Sequence, residues 1–280
     1  MGRYDGILIA SDFDRTLTDP QGLVPQANLD ALRSFMDEGG RFAVASGRSV
    51  PMFREKRRLF IDNAPTILCN GAVCYDFEAE RTVFDAPLPD VEPLVTEMMA
   101  KYPLHNVEVQ GNAGHFAWII DDERKKMFAE LGVPLLGGTY RELTEPMYML
   151  FFGGEFIRPD DATRDFQSGS PEIDAMFEAI NRIVEAGGTL SATRSTRLND
   201  EIMVRGVSKG SAARRLANLY GCRTLVCVGD AMNDLAMLRE ADLAFTPADG
   251  DESIRPLVGT KLTVAAPCTA GTIADVIAKL

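Results

Sequence analysis

The sequence has no hydrophobic stretch approaching the roughly 20 apolar residues that a membrane-spanning helix requires. Its N-terminus reaches Asp5 before any apolar run, so the layout of a secretory signal is missing and the chain reads as cytoplasmic. Positive charge is in short supply: 29 Lys and Arg stand against 41 Asp and Glu, a net charge of −12. Nucleic acid and anionic membrane are therefore excluded as partners, because binding to either relies on clustered Lys and Arg. Phosphate can still be held locally, given a cation and a few well-placed basic groups. The five cysteines (Cys69, Cys74, Cys222, Cys227, Cys268) are scattered and form no C-x-x-C, and they read as reduced, buried thiols. Histidine is scarcer still. His105 and His115 lie ten positions apart with no acidic partner at metal-ligand spacing, which points to surface or core roles. Internal repeats and low-complexity segments are absent. With 46% hydrophobic residues among 280, what is present suffices for one large domain or two moderate ones.

Short apolar runs alternate with amphipathic stretches at both ends of the chain. Gly6 to Ser11 (GILIAS), Arg41 to Ala45 (RFAVA), Pro65 to Cys69 (PTILC) and Arg223 to Val228 (RTLVCV) read as strands, each ending in a polar or glycine-containing loop. Leu243 to Phe245 and Lys261 to Val264 are weaker strand candidates. Helices are expected at about Pro25 to Glu38, Ser208 to Tyr220, Met232 to Glu240 and Thr272 to Leu280. This rhythm predicts an α/β fold, a doubly wound parallel sheet covered on both faces, with ligands collecting at the carboxyl ends of the strands. The middle is different in character. A hairpin-like start, helices near Val91 to Tyr102, Asp122 to Leu131 and Glu172 to Ala186, and strands near Val107 to Val109, Phe116 to Ile120 and Met147 to Phe152 read as an inserted α+β domain. The expected division is a catalytic core of residues 1–84 and 193–280 around a cap of residues 85–192, with Pro87 and Pro89 at entry and Gly187-Gly188 near the exit.

The polar strand ends carry the chemistry. Asp12-Phe13-Asp14-Arg15-Thr16 follows the first strand, and alternation along an extended backbone sends Asp12 and Asp14 to one side. Two carboxylates sharing a small space raise one another's pKa unless a divalent cation joins them or one carries a proton. An isolated D-x-D is more often a solvated turn or helix cap. Gly229-Asp230-Ala231-Met232-Asn233-Asp234 repeats the arrangement on another strand, and oxygen ligands from two strand ends suit a hard cation such as Mg²⁺. In Ser46-Gly47-Arg48 a hydroxyl and N–H groups freed by a glycine turn can hold phosphate oxygens. Lys209 opens a predicted helix, where the helix dipole disfavours it, and binding phosphate and a carboxylate supplies a reason for it.

These four elements, in this order, resemble the haloacid dehalogenase superfamily of phosphatases. The likeness covers roughly Asp5 to Phe84 and Thr196 to the C-terminus, and Asn70-Gly71-Ala72 ahead of the insertion is similar to the Cof-type branch, class IIB, which carries the larger α/β cap. The resemblance implies that Asp12 is the nucleophile and a metal ligand, forming an aspartyl-phosphate. It makes Asp14 the general acid/base, its backbone carbonyl touching the metal. Thr16 would steady the loop, Ser46, Gly47 and Lys209 hold the phosphoryl oxygens, and Asp230 ligate Mg²⁺. Asn233 and Asp234 would position the metal shell or phosphate, while Arg48 and Asn70 are weaker candidates for substrate contact. The branch usually has glycine after Asp14 and this chain has Arg15, so the loop is expected to depart from the usual shape.

The implied activity is Mg²⁺-dependent hydrolysis of a small phosphorylated metabolite, with sugar phosphates as the default class and a cap that excludes large substrates. A phosphomutase would use the same aspartyl-phosphate, and a phosphometabolite-binding protein without turnover would keep the fold. Trp118 reads as core, the charged run Asp121 to Lys126 as a solvated helix start, and Met98, Met99, Met147 and Met149 as lining of the cap interior.

Overall fold

The computed structural model describes residues 2–102, 106–153, 171–196 and 199–280; His105 lies outside the described residues. In chain order β1 (Ile7–Asp12), α1 (Gln26–Asp37), β2 (Arg41–Ala45), α2 (Val50–Arg54), β3 (Thr66–Leu68), β4 (Val73–Asp76) and β5 (Arg81–Asp85) come first. Next are α3 (Glu92–Lys101), β6 (Asn106–Gly111), β7 (His115–Ala117), α4 (Asp122–Glu130), β8 (Met147–Gly153), α5 (Pro171–Gly187), β9 (Leu190–Thr196) and β10 (Asn199–Val204). The chain closes with α6 (Lys209–Leu219), β11 (Thr224–Val228), α7 (Leu235–Glu240), β12 (Leu243–Pro247), α8 (Arg255–Val258), β13 (Leu262–Ala265) and α9 (Thr272–Ala278). Contacts divide it into two compact units, one of Met1–Arg48, Phe53–Asp85 and Val207–Leu280, the other of Ser49–Met52 and Ala86–Gly206.

The first unit is built on an eight-stranded sheet in the order β13-β12-β11-β1-β2-β3-β4-β5. The six strands from β13 to β3 are parallel, and β4 and β5 extend the sheet as an antiparallel hairpin. β1 sits near the middle with Ile9 opposite both Phe42 and Val226. A central parallel strand is covered on both faces, which is why its sequence is almost continuously apolar. Leu8 and Ala10 join Ala212, Leu216, Met237 and Leu238 of α6 and α7 in one buried cluster. On the alternate face α1 and α9 pack together. Asn28 there donates to the Leu17 carbonyl at 3.1 Å and accepts from the Ala274 N–H at 3.0 Å. The unit is the doubly wound α/β sheet that the sequence rhythm predicts.

The second unit holds a five-stranded antiparallel sheet, β7-β6-β8-β10-β9. α3 and α5 bring Val95, Met98, Phe177 and Ile180 against Val107, Leu150, Phe152 and Ile202. The chain enters this unit at Ala86, against the expected 85, and leaves it at Gly206 rather than at 192. The reason is the β9–β10 hairpin, whose second strand pairs with β8 through Asp200 opposite Phe152 and so completes this sheet. Where a hairpin-like start was expected, from about Asp85, the chain runs on to α3, and the hairpin β4–β5 precedes that point in the first sheet.

One smaller expectation changes here, while His115 takes the core role that was one of the two expected for it. Asp121 caps α4 by accepting from the Arg124 N–H at 2.8 Å, but Arg124 is not solvated: its side chain is buried and reaches Glu108 at 3.2 Å. His115 is buried against the Ser49 hydroxyl (2.7 Å) and Glu108 (3.2 Å). Met98, Met147 and Met149 are buried, and Trp118 is half-buried, stacked on Tyr140. No disulfide joins any of the five cysteines, and four are buried. No helix among the described residues is long and apolar enough to cross a membrane.

Candidate active site

The expected residues meet at the carboxyl ends of β1, β2, β3 and β11 and at the start of α6. Asp12 is the last residue of β1 and is buried. α6 begins where a reciprocal cap fixes it: the Ser208 hydroxyl accepts from the Ser211 N–H at 3.0 Å and the Ser211 hydroxyl from the Ser208 N–H at 3.0 Å. Lys209 is thereby set in the first helical position. Its Nζ donates to Asp12 Oδ1 at 2.5 Å and Asp234 Oδ1 at 2.7 Å, with none of the side chain exposed. An ammonium that the helix dipole disfavours is held by two carboxylates.

Asp234 is fully buried and fixed on its other oxygen, where Oδ2 accepts from the backbone N–H groups of Asp230 (3.0 Å) and Ala231 (3.3 Å). Gly229 makes room for this: a Cβ there would lie 2.5 Å from the Asp234 Cβ. Gly71 does the same for α6, since a Cβ on it would lie 2.1 Å from the Ser208 carbonyl oxygen, at a φ of +104° that favours glycine. Thr16, expected to steady its own loop, donates to Asp230 Oδ1 at 3.1 Å and so joins two strand ends.

Ser46 is buried, its hydroxyl accepting from the Arg48 N–H at 3.2 Å and its carbonyl from the Asn70 N–H at 3.2 Å. Gly47 lets the Asn70 side chain approach, with Oδ1 3.1 Å from where a Cβ would stand. Asn70 is buried in a left-handed conformation. Asn233 is half-buried and makes no side-chain hydrogen bond to another described residue. Asp14 is half exposed, and its carboxylate pairs with Arg48 through two hydrogen bonds of 3.0 Å. Sequence reasoning missed that pair, because it assigned the two residues to different jobs and they stand 34 positions apart.

Arg15 itself takes φ +59°, ψ +12°, the left-handed turn that glycine adopts without strain, at a cost of about 1 kcal/mol. The side chain is exposed, and its charge favours the ionised forms of Asp230 and Asp249.

The electrostatics follow from crowding. Burial and the neighbouring Asp234 raise Asp12 well above the usual carboxylate range, against the pull of Lys209. Burial and Asp234 push Asp230 up to about 6. Burial alone would lower Lys209, but Asp12 and Asp234 outweigh it and hold the ammonium above the usual lysine range. Asp12, Asp230 and Asp234 each offer an oxygen within 4.8 Å of the others. One ammonium among three carboxylates leaves an excess of negative charge that a divalent cation would relieve, and an all-oxygen donor set fits a hard one. Asp14 would contribute its backbone carbonyl alone, since its carboxylate is turned to Arg48.

Residues 9–258 match the family of haloacid dehalogenase-like hydrolases. Over 264 residues the chain is 21% identical to the pyridoxal phosphate phosphatase YbhA of Escherichia coli, covering 89% of this chain and 90% of the relative. It is 22% identical over 251 residues to the 5-amino-6-(5-phospho-D-ribitylamino)uracil phosphatase YcsE of Bacillus subtilis, covering 89% and 86%. The fold matches that of the subclass IIB sugar phosphatase BT4131 with a TM-score of 0.72 at 16% identity, over 97% of this chain and 98% of the other.

Proposed function

The chain belongs to the haloacid dehalogenase-like hydrolases, and from that premise we propose that it is a Mg²⁺-dependent phosphatase of small phosphorylated metabolites. The observation that carries the reading is the buried Asp12 carboxylate at a strand end, bonded to Lys209 at 2.5 Å and clustered with Asp230 and Asp234. In this mechanism an Asp12 oxygen attacks phosphorus, forming an acyl-phosphate bond as the bond to the substrate oxygen breaks. Asp14 gives that oxygen its proton, and the alcohol leaves neutral. Asp14, now ionised, takes a proton from a water molecule whose oxygen attacks phosphorus, so that inorganic phosphate leaves and Asp12 regains its carboxylate. Ser46, Gly47 and Lys209 hold the phosphoryl oxygens in line, which is most of what phosphoryl transfer asks of a protein. Asp12, Asp230 and the Asp14 carbonyl would hold Mg²⁺, with Asp234 fixing the shell; when bound, the ion neutralises charge on the phosphoryl group.

The named relatives act on pyridoxal phosphate and on a phosphoribitylamino-uracil. These names support small phosphate monoesters as the class, and sugar phosphates are the first to be tried. The test is release of inorganic phosphate from p-nitrophenyl phosphate and a panel of phosphorylated metabolites, with and without Mg²⁺. Metal-dependent release that disappears in Asp12→Ala is expected. Release unchanged by that substitution would sink the proposal, and an isomerised sugar phosphate in place of free phosphate would make the chain a phosphomutase.

A further inference from the structure

Arg48 was a weaker candidate for substrate contact, and the structure turns its side chain to Asp14. Its backbone is pinned on both sides, the N–H donating to the Ser46 hydroxyl at 3.2 Å and the carbonyl accepting from the Cys69 N–H at 3.0 Å. From this fixed base the guanidinium reaches Asp14, Nε to Oδ2 at 3.0 Å and Nη2 to Oδ1 at 3.0 Å. A two-pronged contact of this kind fixes the plane of a carboxylate as well as its distance, which a lysine cannot do.

Among the described residues no other side chain bonds the Asp14 carboxylate. It lies on the loop after β1, in extended conformation (φ −74°, ψ 127°), next to the left-handed Arg15. Half of its side chain is exposed, and among the described residues Arg48 makes its only side-chain hydrogen bonds. The remaining buried cation at these strand ends, Lys209, is already held by Asp12 and Asp234. A carboxylate that must meet the leaving oxygen at one angle thus depends on one guanidinium for its direction.

We infer that Arg48 is the positioning residue of Asp14, acting on the leaving group through that carboxylate and not on the phosphoryl oxygens. The inference rests on the phosphatase reading above and deepens it. It separates from a phosphate contact by how the rate depends on the leaving group. A p-nitrophenolate departs with little help from a proton, whereas an alkoxide needs one.

The experiment compares p-nitrophenyl phosphate with an alkyl phosphate such as a sugar 6-phosphate, using the full chain with Mg²⁺. The variants are Asp14→Asn, Arg48→Gln, Arg48→Lys and the double variant Asp14→Asn with Arg48→Gln. Arg48→Gln is expected to lower kcat/KM, which reports the step that phosphorylates Asp12 and expels the leaving group, by about 10²-fold on the alkyl ester, the low end of what a positioned acid supplies, and by less than about 10-fold on the aryl ester. Its kcat falls on both where hydrolysis of the shared aspartyl-phosphate limits the rate, because Asp14 is the base of that step too. Arg48→Lys is not expected to rescue the alkyl ester, and the double variant is expected to be no slower than Asp14→Asn alone, because both act on one group. Equal losses of kcat/KM on both esters, or losses of kcat/KM that multiply in the double variant, would make Arg48 a phosphate contact and overturn the inference. The unfolding midpoint of each variant separates a lost fold from a lost rate, and Arg48→Lys retains the charge if Arg48→Gln does not fold. A wild-type chain that hydrolyses neither ester overturns the phosphatase reading and this inference with it.

Discussion

Replacing Lys209 by methionine removes an ammonium but keeps a straight side chain, and the structure fixes what should follow. Nζ lies 2.5 Å from Asp12 and 2.7 Å from Asp234, wholly out of solvent. With Asp230 in the same cluster, three carboxylates face one cation. Taking one partner from a buried ion pair destabilises by about 3–5 kcal/mol, since the remaining charge has no compensation. Two remedies exist, a proton or a divalent cation. Lys209 is held above the usual lysine range, so its own contribution is complete at both about pH 5 and about pH 7.5, being lost only as pH rises through that raised pKa. The pH dependence of the difference therefore belongs to the carboxylates. Asp12 and Asp230 are already raised by burial and by Asp234, and loss of the ammonium raises them further. The folded variant then binds more protons than the unfolded chain, so its stability falls as pH rises from about 4 to beyond 6. Urea unfolding in the presence of a chelator should show a loss of about 3–5 kcal/mol near pH 7.5 and less than half of that near pH 5, with partial recovery in Mg²⁺. The same variant should lose at least about 10²-fold in kcat. A loss below about 1 kcal/mol at pH 7.5, or an equal loss at both pH values, would refute the view that these carboxylates are ionised and share this cation.

Gly71→Ala should destabilise by about 3 kcal/mol or more, because it adds both a strained φ and a clash with the backbone of Ser208. Lys209 follows Ser208, so kcat should drop too; an unchanged kcat in urea-stable protein would show that the start of α6 does not depend on this approach. Asp62 gives a pH effect outside the cluster of Asp12, Asp230 and Asp234. Burial pushes it up to about 6 despite an ion pair with Arg57 at 2.5 Å, and only 7% of its side chain is exposed. Its folded pKa lies above its unfolded one, so stability falls as pH rises from about 4 to about 6, by about 3 kcal/mol. Asp62→Asn should remove that portion of the fall in urea titrations at the two ends of the window, and a wild-type-like slope in the variant would contradict it.

The first unit was legible because its central strands are buried on both faces and so spell short apolar runs, each closed by a polar cluster. Arg41–Ala45 became β2 with the same bounds. The β9–β10 hairpin was not legible, because Arg194 and Asp200 interrupt its apolar pattern and look like loop residues. Only the register, which sets them opposite each other with Arg194 Nε donating to Asp200 Oδ1 at 3.3 Å, shows how a strand pair accommodates them. The site reads similarly. Asp12, Asp230, Asp234 and Lys209 were found from their company at strand ends, whereas the Asp14–Arg48 and Thr16–Asp230 contacts join different strand ends and leave no local signature. Arg15 stood out where glycine is usual, and only the structure shows it in the left-handed backbone that glycine adopts freely.

The place of β1 in the sheet bears on how the chain comes to be made. One of its neighbours, β2, is synthesised soon after it, but the other, β11, lies beyond the entire second unit, and the bond from Lys209 to Asp12 spans 197 positions. Until the last quarter of the polypeptide has emerged from the ribosome, one edge of an apolar strand is without its partner, the condition in which nascent chains are open to wrong pairing. Contacts of such separation also form slowly. A truncated product, however well folded in its first half, thus carries Asp12 without Lys209, Asp230 and Asp234 around it.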